Sequence, residues 1–131
     1  MKPLVETAVY DGKGYESLIE FESWCVALIN DGEEFHRENI TFLERHDATD
    51  EVFVLLSGAC VLYIGDGDDT LGNITAVRLE MGKLYNVKKS VWHNLVVRPG
   101  TQVLIVENAD TGRSNSRYLP VSQAALPEEI A

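Results

Sequence analysis

The chain has 131 residues, 45% of them hydrophobic and only four of them proline, which is the size and apolar share of one globular domain and excludes a disordered or fibrous protein. Eleven Lys and Arg against 21 Asp and Glu leave a formal charge of −10, and no basic run exceeds Lys88-Lys89, so nucleic acid is not an expected partner. A charge sits where a signal peptide needs its apolar core (Met1-Lys2-Pro3-Leu4-Val5-Glu6) and no stretch approaches membrane-spanning length, so a cytoplasmic protein without a membrane partner is expected.

Residues 1–22 read as an N-terminal extension in which 15–21 forms either a helical turn or an extra edge strand. From Ser23 onward short β-rich runs follow one another at 24–29, 39–46, 51–56, 59–64, 74–79, 84–87, 91–98 and 102–108, giving about eight strands. The connections Asn30-Asp31-Gly32, Ser57-Gly58, Gly65-Asp66-Gly67-Asp68-Asp69 and Pro99-Gly100 supply residues that tolerate or preset turn dihedrals, so hairpins are the natural reading. The acidic 66–69 loop lacks EF-hand spacing and reads as a solvated hairpin tip. The tail 109–131, with Pro120 and Pro127, is expected to pack over the strands or extend to a partner; its 122–126 stretch is weakly helical. One all-β domain spanning 1–131 results, with its core at about 23–108, and a closed or two-sheet barrel of eight strands is one way for its antiparallel strands to hide their edges. Cys25 and Cys60 both lie inside apolar runs and read as buried thiols rather than a disulfide.

Alternation across the strands places the chemistry. Ile40, Phe42, Glu44 and His46 share one face, Glu51 shares a face with Phe53 and Leu55, and His93 shares one with Val91, Leu95 and Val97. Polar groups on otherwise apolar faces are costly unless paired, hydrogen-bonded or coordinated. Three strands thus each offer a metal-competent group. His36, in a charged connection, reads as a solvated loop residue, and Tyr63, Tyr85 and Trp92 as core or interface aromatics.

The stretch from Glu44 through His46 and Glu51 to Gly58 resembles the first cupin motif, in which two histidines one residue apart precede a glutamate and a closing glycine; Glu44 stands in place of the first histidine. Gly82 to His93 is similar in spacing to the second cupin motif, with Lys88 at its proline position, Ser90 at its glycine position and Val97 where an asparagine would follow. The resemblance spans about two-thirds of the chain and implies a double-stranded β-helix, the cupin jelly-roll barrel. It also implies a metal site of His46, Glu51 and His93 with Glu44 as a fourth ligand, and Fe, Mn, Ni, Co and Zn all suit such donors.

Glu44 keeps three open roles: ligand, catalytic acid or base, and hydrogen-bond partner of His46 or of a base such as Arg78. Tyr85 and Phe53 are expected to line the substrate pocket. The implied functions are a metal-dependent isomerase or epimerase acting on a sugar or organic acid, a non-haem iron dioxygenase, and a non-catalytic ligand-binding or accessory cupin. A small-molecule ligand and a homodimer are the expected partners.

Overall fold

The computed structural model describes residues 4–128. Ten strands build two five-stranded antiparallel sheets: β1 (Tyr15–Phe21), β2 (Trp24–Asn30), β3 (Phe42–His46), β4 (Glu51–Ser57), β5 (Cys60–Gly65), β6 (Ile74–Arg78), β7 (Tyr85–Val87), β8 (Trp92–Val97), β9 (Gln102–Asn108) and β10 (Ser116–Pro120). The first sheet runs β1-β2-β9-β4-β7 and the second β10-β3-β8-β5-β6. No helix among the described residues is long and apolar enough to cross a membrane.

The eight expected runs all carry strands, with ends shifted by at most three residues. The largest shift is at 39–46, where Arg37–Asn39 forms a 3-10 turn and the strand begins only at Phe42. The Asn39 side chain donates to Glu33 O at 2.8 Å and holds that turn. Residues 15–21 form the edge strand rather than the helical turn. The barrel also reaches beyond the expected 23–108, because β10 pairs along β3 from Ser116 opposite His46 to Pro120 opposite Phe42. Ser-Arg-Tyr-Leu-Pro shows little alternation, and an edge position is where a strand tolerates proline.

Inward residues of both sheets form the main core, with Ala27, Phe53, Leu62, Val103 and Ile105 all 2% exposed or less. Each of the four larger side chains contributes roughly 1.5–3 kcal/mol of burial energy. A second cluster lies on the outer face of the second sheet, where Ile40, Leu43, Val61, Tyr63, Trp92 and Val96 pack with Leu126 from the tail. The tail therefore covers the barrel: Gln123 Nε2 donates to the carbonyls of Arg37 and Ile40, and Arg37 donates to Leu126 O at 3.0 Å. Its weakly helical stretch is a single 3-10 turn, Gln123–Ala125.

This cover reverses part of the expected burial on β3. Phe42 is 37% exposed and packs edge-on against Tyr118 (5.5 Å between ring centres), whereas Leu43 and Arg45, on the opposite face, are 0% and 1% exposed. The Arg45 guanidinium lies 4.7 Å above the Trp92 ring, and its Nη1 donates to Asp68 O at 2.7 Å. The 66–69 loop thus exposes its carboxylates but docks through its backbone, which also accepts from Trp92 Nε1 at 2.9 Å. Both cysteines are free and buried, and burial pushes the Cys60 thiol up to about 12.

Candidate functional site

A cavity of about 240 Å³ opens between the two sheets. Ile29, Phe53, Leu95 and Ile105 supply apolar wall, while Glu44, His46, Glu51, His93 and Glu107 supply polar groups. The sheets divide the work. Glu51 (β4) and Glu107 (β9) come from the first, and Glu44 and His46 (β3) with His93 (β8) from the second. On the second sheet Glu44 is registered opposite both His93 and Tyr118, and Ser116 opposite His46. On the first, the antiparallel pair Val52 and Val106 is followed on one side by Glu51 and Glu107, which therefore face each other across the two strands.

The centre is Glu51 Oε1, 3.0 Å from His93 Nε2 and 3.2 Å from His46 Nε2. Both rings are anchored through their other nitrogen: His93 Nδ1 donates to Val91 O at 2.9 Å, and His46 Nδ1 lies 2.7 Å from Ser116 Oγ. A carbonyl only accepts, so His93 Nδ1 carries a proton and Nε2 faces the carboxylate either as a bare lone pair or as the second N–H of an imidazolium. Two acceptors cannot face each other at 3.0 Å. Something positive, a proton or a cation, belongs between them.

Electrostatics follows from this packing. Burial raises Glu51, but hydrogen bonds from His46 and His93 outweigh it and hold the carboxyl well below the usual range. Burial lowers His93 in turn, and the Glu51 hydrogen bond and charge overcome it, so its pKa ends up raised. Glu44 is raised by burial against the lowering charges of His93 and His46. Glu107 is pushed up to about 8 by burial and the neighbouring Glu51 carboxylate.

All four residues of the expected metal set therefore line one cavity, and Phe53 lines it too, with its ring 6.0 Å from that of His93. Glu44 Oε1 stands farther out, 3.8 Å from His46 Nε2. Arg78, its other suggested partner, lies on β6 at the far edge of the second sheet. Tyr85 is absent from the cavity wall: its ring packs against the main core and its hydroxyl accepts the Glu80 N–H at 3.0 Å. It belongs to β7, the edge strand beside Phe53, and the short sequence distance to His93 misled. His36 is half-buried and paired with Asp31 at 2.7 Å rather than freely solvated.

Sequence reading missed Glu107, Tyr15, Ser116 and Tyr118. Glu107 carried the same signal as the others, since β9 places Val103, Ile105 and Glu107 on one face. Tyr15 and Ser116 carried none, because each enters through an edge strand whose pairing is decided by the rest of the fold. Tyr15 donates to Glu107 Oε1 at 2.8 Å.

The donor set fits a divalent cation. Two ligands held at right angles by bonds of about 2.1 Å stand roughly 3 Å apart, which is the spacing of the two imidazoles from Glu51 Oε1. Glu107 Oε2 is buried without a hydrogen-bond partner, and a proton or a cation placed between it and Glu51 would satisfy it.

No protein-family model and no curated protein matches the chain. Solved structures do. Streptomyces Pac13 with uridine aligns over 91% of this chain and 89% of its own at 13% identity, TM-score 0.61; that protein is described as a nucleoside dehydratase. A cupin-2 domain protein from Shewanella frigidimarina aligns over 76% and 84% at 18% identity, TM-score 0.55. FeII HppE aligns over 72% of this chain and 50% of its own at 18% identity, TM-score 0.53. At such identities the likeness is one of fold, and the fold is that of a cupin barrel.

Proposed function

We propose that this small cupin-fold protein binds a divalent cation through His46, His93 and Glu51 and holds a small polar metabolite beside it, as a metal-dependent enzyme of the isomerase or epimerase type acting on a sugar or organic acid. The observation that carries the reading is the anchoring of both imidazoles by Nδ1, which turns each Nε2 toward one carboxylate oxygen. Histidine ligands characteristically have their second nitrogen tied in this way.

When bound, the cation supplies Lewis-acid polarisation of a carbonyl or hydroxyl oxygen of the ligand. Val91 O and Ser116 Oγ fix the two rings, so little reorganisation is needed on binding. Phe53, Leu95 and Ile105 exclude water from the floor of the cavity. Glu44 lines the cavity with 29% of its side chain exposed and its pKa raised by burial, and its Oε1 can accept a proton from ligand carbon or oxygen and return it.

Elemental analysis after separate exposure to Mn, Fe, Ni, Co and Zn tests the reading. We expect close to one metal per chain in the wild type and its loss in His46→Ala and His93→Ala. Less than about 0.1 metal per chain for all five, against the one-site stoichiometry of a closed donor set, would sink it.

A second reading has its own support: an Nε2 proton on His93 would satisfy the same 3.0 Å contact as an imidazolium–carboxylate pair, making the barrel metal-free. Iron chemistry is the rival within the metal class, since FeII HppE shares the fold. Oxygen consumption by the iron-loaded protein separates it from isomerisation, and a ligand recovered unchanged from the metal-loaded protein marks a binding module instead.

A further inference from the structure

We infer that Glu107, rather than Glu44, completes the ligand set of the cation, leaving Glu44 to face the small ligand; the inference rests on the cation-binding reading above.

Two groups of donors share His46. One is Glu44, His46 and His93, the other His46, Glu51 and Glu107, and within each the ligand atoms all lie within 4.8 Å of one another. Glu51 sits against both imidazoles at 3.0 and 3.2 Å, which puts the centre of the site on the side of the second group. Glu44 stands off at 3.8 Å with 29% of its side chain exposed, and water can solvate it there.

Glu107 has no such recourse. The residue is 8% exposed, its Oε1 is occupied by the Tyr15 hydroxyl at 2.8 Å, and its Oε2 is buried with no partner. Two buried carboxyl groups this close do not both ionise freely; a shared proton or a divalent cation between them removes the cost, and the imidazoles around them complete a donor set that suits the cation. A purely structural position on β9 would continue the apolar face of Val103 and Ile105.

The hydroxyl of Tyr15 makes the case more specific. It reaches in from the edge strand β1, outside the segment that resembles cupin motifs, and holds Glu107 by one oxygen so that the other is left to the cavity. Tyr15 is then a positioning residue for a ligand. Glu44, registered opposite Tyr118 and lining the same cavity, is the carboxylate left to meet the metabolite.

Cobalt(II) titration of the full chain, followed by calorimetry and by the visible d–d absorption, tests this without any assay of activity. We expect Glu107→Gln to weaken cobalt binding by at least about 30-fold and to alter the d–d bands, Tyr15→Phe to weaken it by about 10-fold, and Glu44→Gln to leave affinity within about 3-fold and the bands unchanged, on the scale that ligand and outer-shell losses follow. Melting of the metal-free variants checks folding, and Glu107→Asp, which keeps a shortened carboxylate, replaces Glu107→Gln if that variant does not fold and is expected to bind cobalt at least about 10-fold more weakly than the wild type. Wild-type affinity and bands in the Glu107 variant, or their loss in Glu44→Gln instead, overturns the inference while leaving the cation reading intact. A wild type that takes up no cobalt overturns both.

Discussion

Ser90 occupies the position where a cupin's second motif carries glycine, and it adopts the backbone that glycine would, with φ +66°. Left-handed backbone costs an ordinary residue roughly 1–2 kcal/mol. The serine offsets this by donating from Oγ to Asp47 Oδ1 at 2.7 Å, while its N–H donates to His46 O at 2.8 Å and ties the turn before His93 to the strand carrying His46. Ser90→Ala keeps the strain and loses the side-chain bond, whereas Ser90→Gly loses the bond and relieves the strain at some entropic cost. Urea denaturation is expected to show Ser90→Gly more stable than Ser90→Ala by roughly 0.5–1 kcal/mol. His36 gives a second residue-scale test. Its hydrogen bond to Asp31 raises its pKa, helped by the charges of Asp31, Glu38 and Glu33 and opposed by partial desolvation. A raised folded-state value means the pairing stabilises fully below about pH 6.5, the unfolded histidine value, and is lost as pH climbs through the folded value. Asp31→Asn should bring the imidazole titration, followed by NMR, back down and flatten that segment of the stability profile.

Hairpin geometry, at the scale of elements, brings the donors together. Gly58 closes the first motif between β4 and β5 at φ +77°, and a Cβ there would meet Thr101 Cα at 2.5 Å and Cβ at 2.9 Å. Thr101 cannot retreat, since its Oγ1 accepts from Ala59 N and donates to Ala59 O, both at 2.9 Å. Gly82, which opens the second motif at φ +85°, has nothing within 4 Å of its would-be Cβ. Gly82→Ala is therefore expected to cost about 1–2 kcal/mol from backbone strain alone, and Gly58→Ala roughly 1–3 kcal/mol more from overpacking. Equal losses in thermal melts would show that the Thr101 contact does not matter. The edge strands follow a different logic: β1 and β10 have weak patterns of their own yet deliver Tyr15, Ser116 and Tyr118 to the cavity, because β2 and β3 offer them open edges.

Across the whole molecule the two sheets are treated unequally. The outer face of the second is buried under the chain's own tail and acidic loop. That of the first presents Val26, Leu28, Leu56 and Leu104, which with Ala8, Val9 and Tyr10 line a groove of about 350 Å³. If the expected homodimer forms, this is the surface we propose for it. Light scattering should give twice the chain mass for the wild type and the monomer mass for Leu28→Glu combined with Leu104→Glu; a monomeric wild type rejects the dimer. Cation binding should also act on the whole fold, since a ligand at 100 times its Kd adds about 2.7 kcal/mol to stability. Manganese or cobalt is expected to raise the melting temperature of the wild type, a chelator to reverse it, and the combined His46→Ala and His93→Ala variant to respond to neither.

The sequence alone carried the all-β class, the eight central strands and the identity of Glu44, His46, Glu51 and His93, because alternation and turn chemistry are local properties of the chain. Local pattern cannot say what covers a face. It therefore grouped Phe42 with Glu44 and His46 on an apolar face, whereas Phe42 is 37% exposed and the tail and the 66–69 loop bury Leu43 and Arg45 on the other face. Nor can it say which carboxylates meet: Glu44 entered by its motif position, while Glu107, 56 residues beyond Glu51, reaches the same histidine only because β4 and β9 are neighbours in one sheet. Whether Glu44 serves as ligand or as base is thus a question of long-range pairing, and the bare oxygen of Glu107 is the tertiary feature on which we propose that it turns.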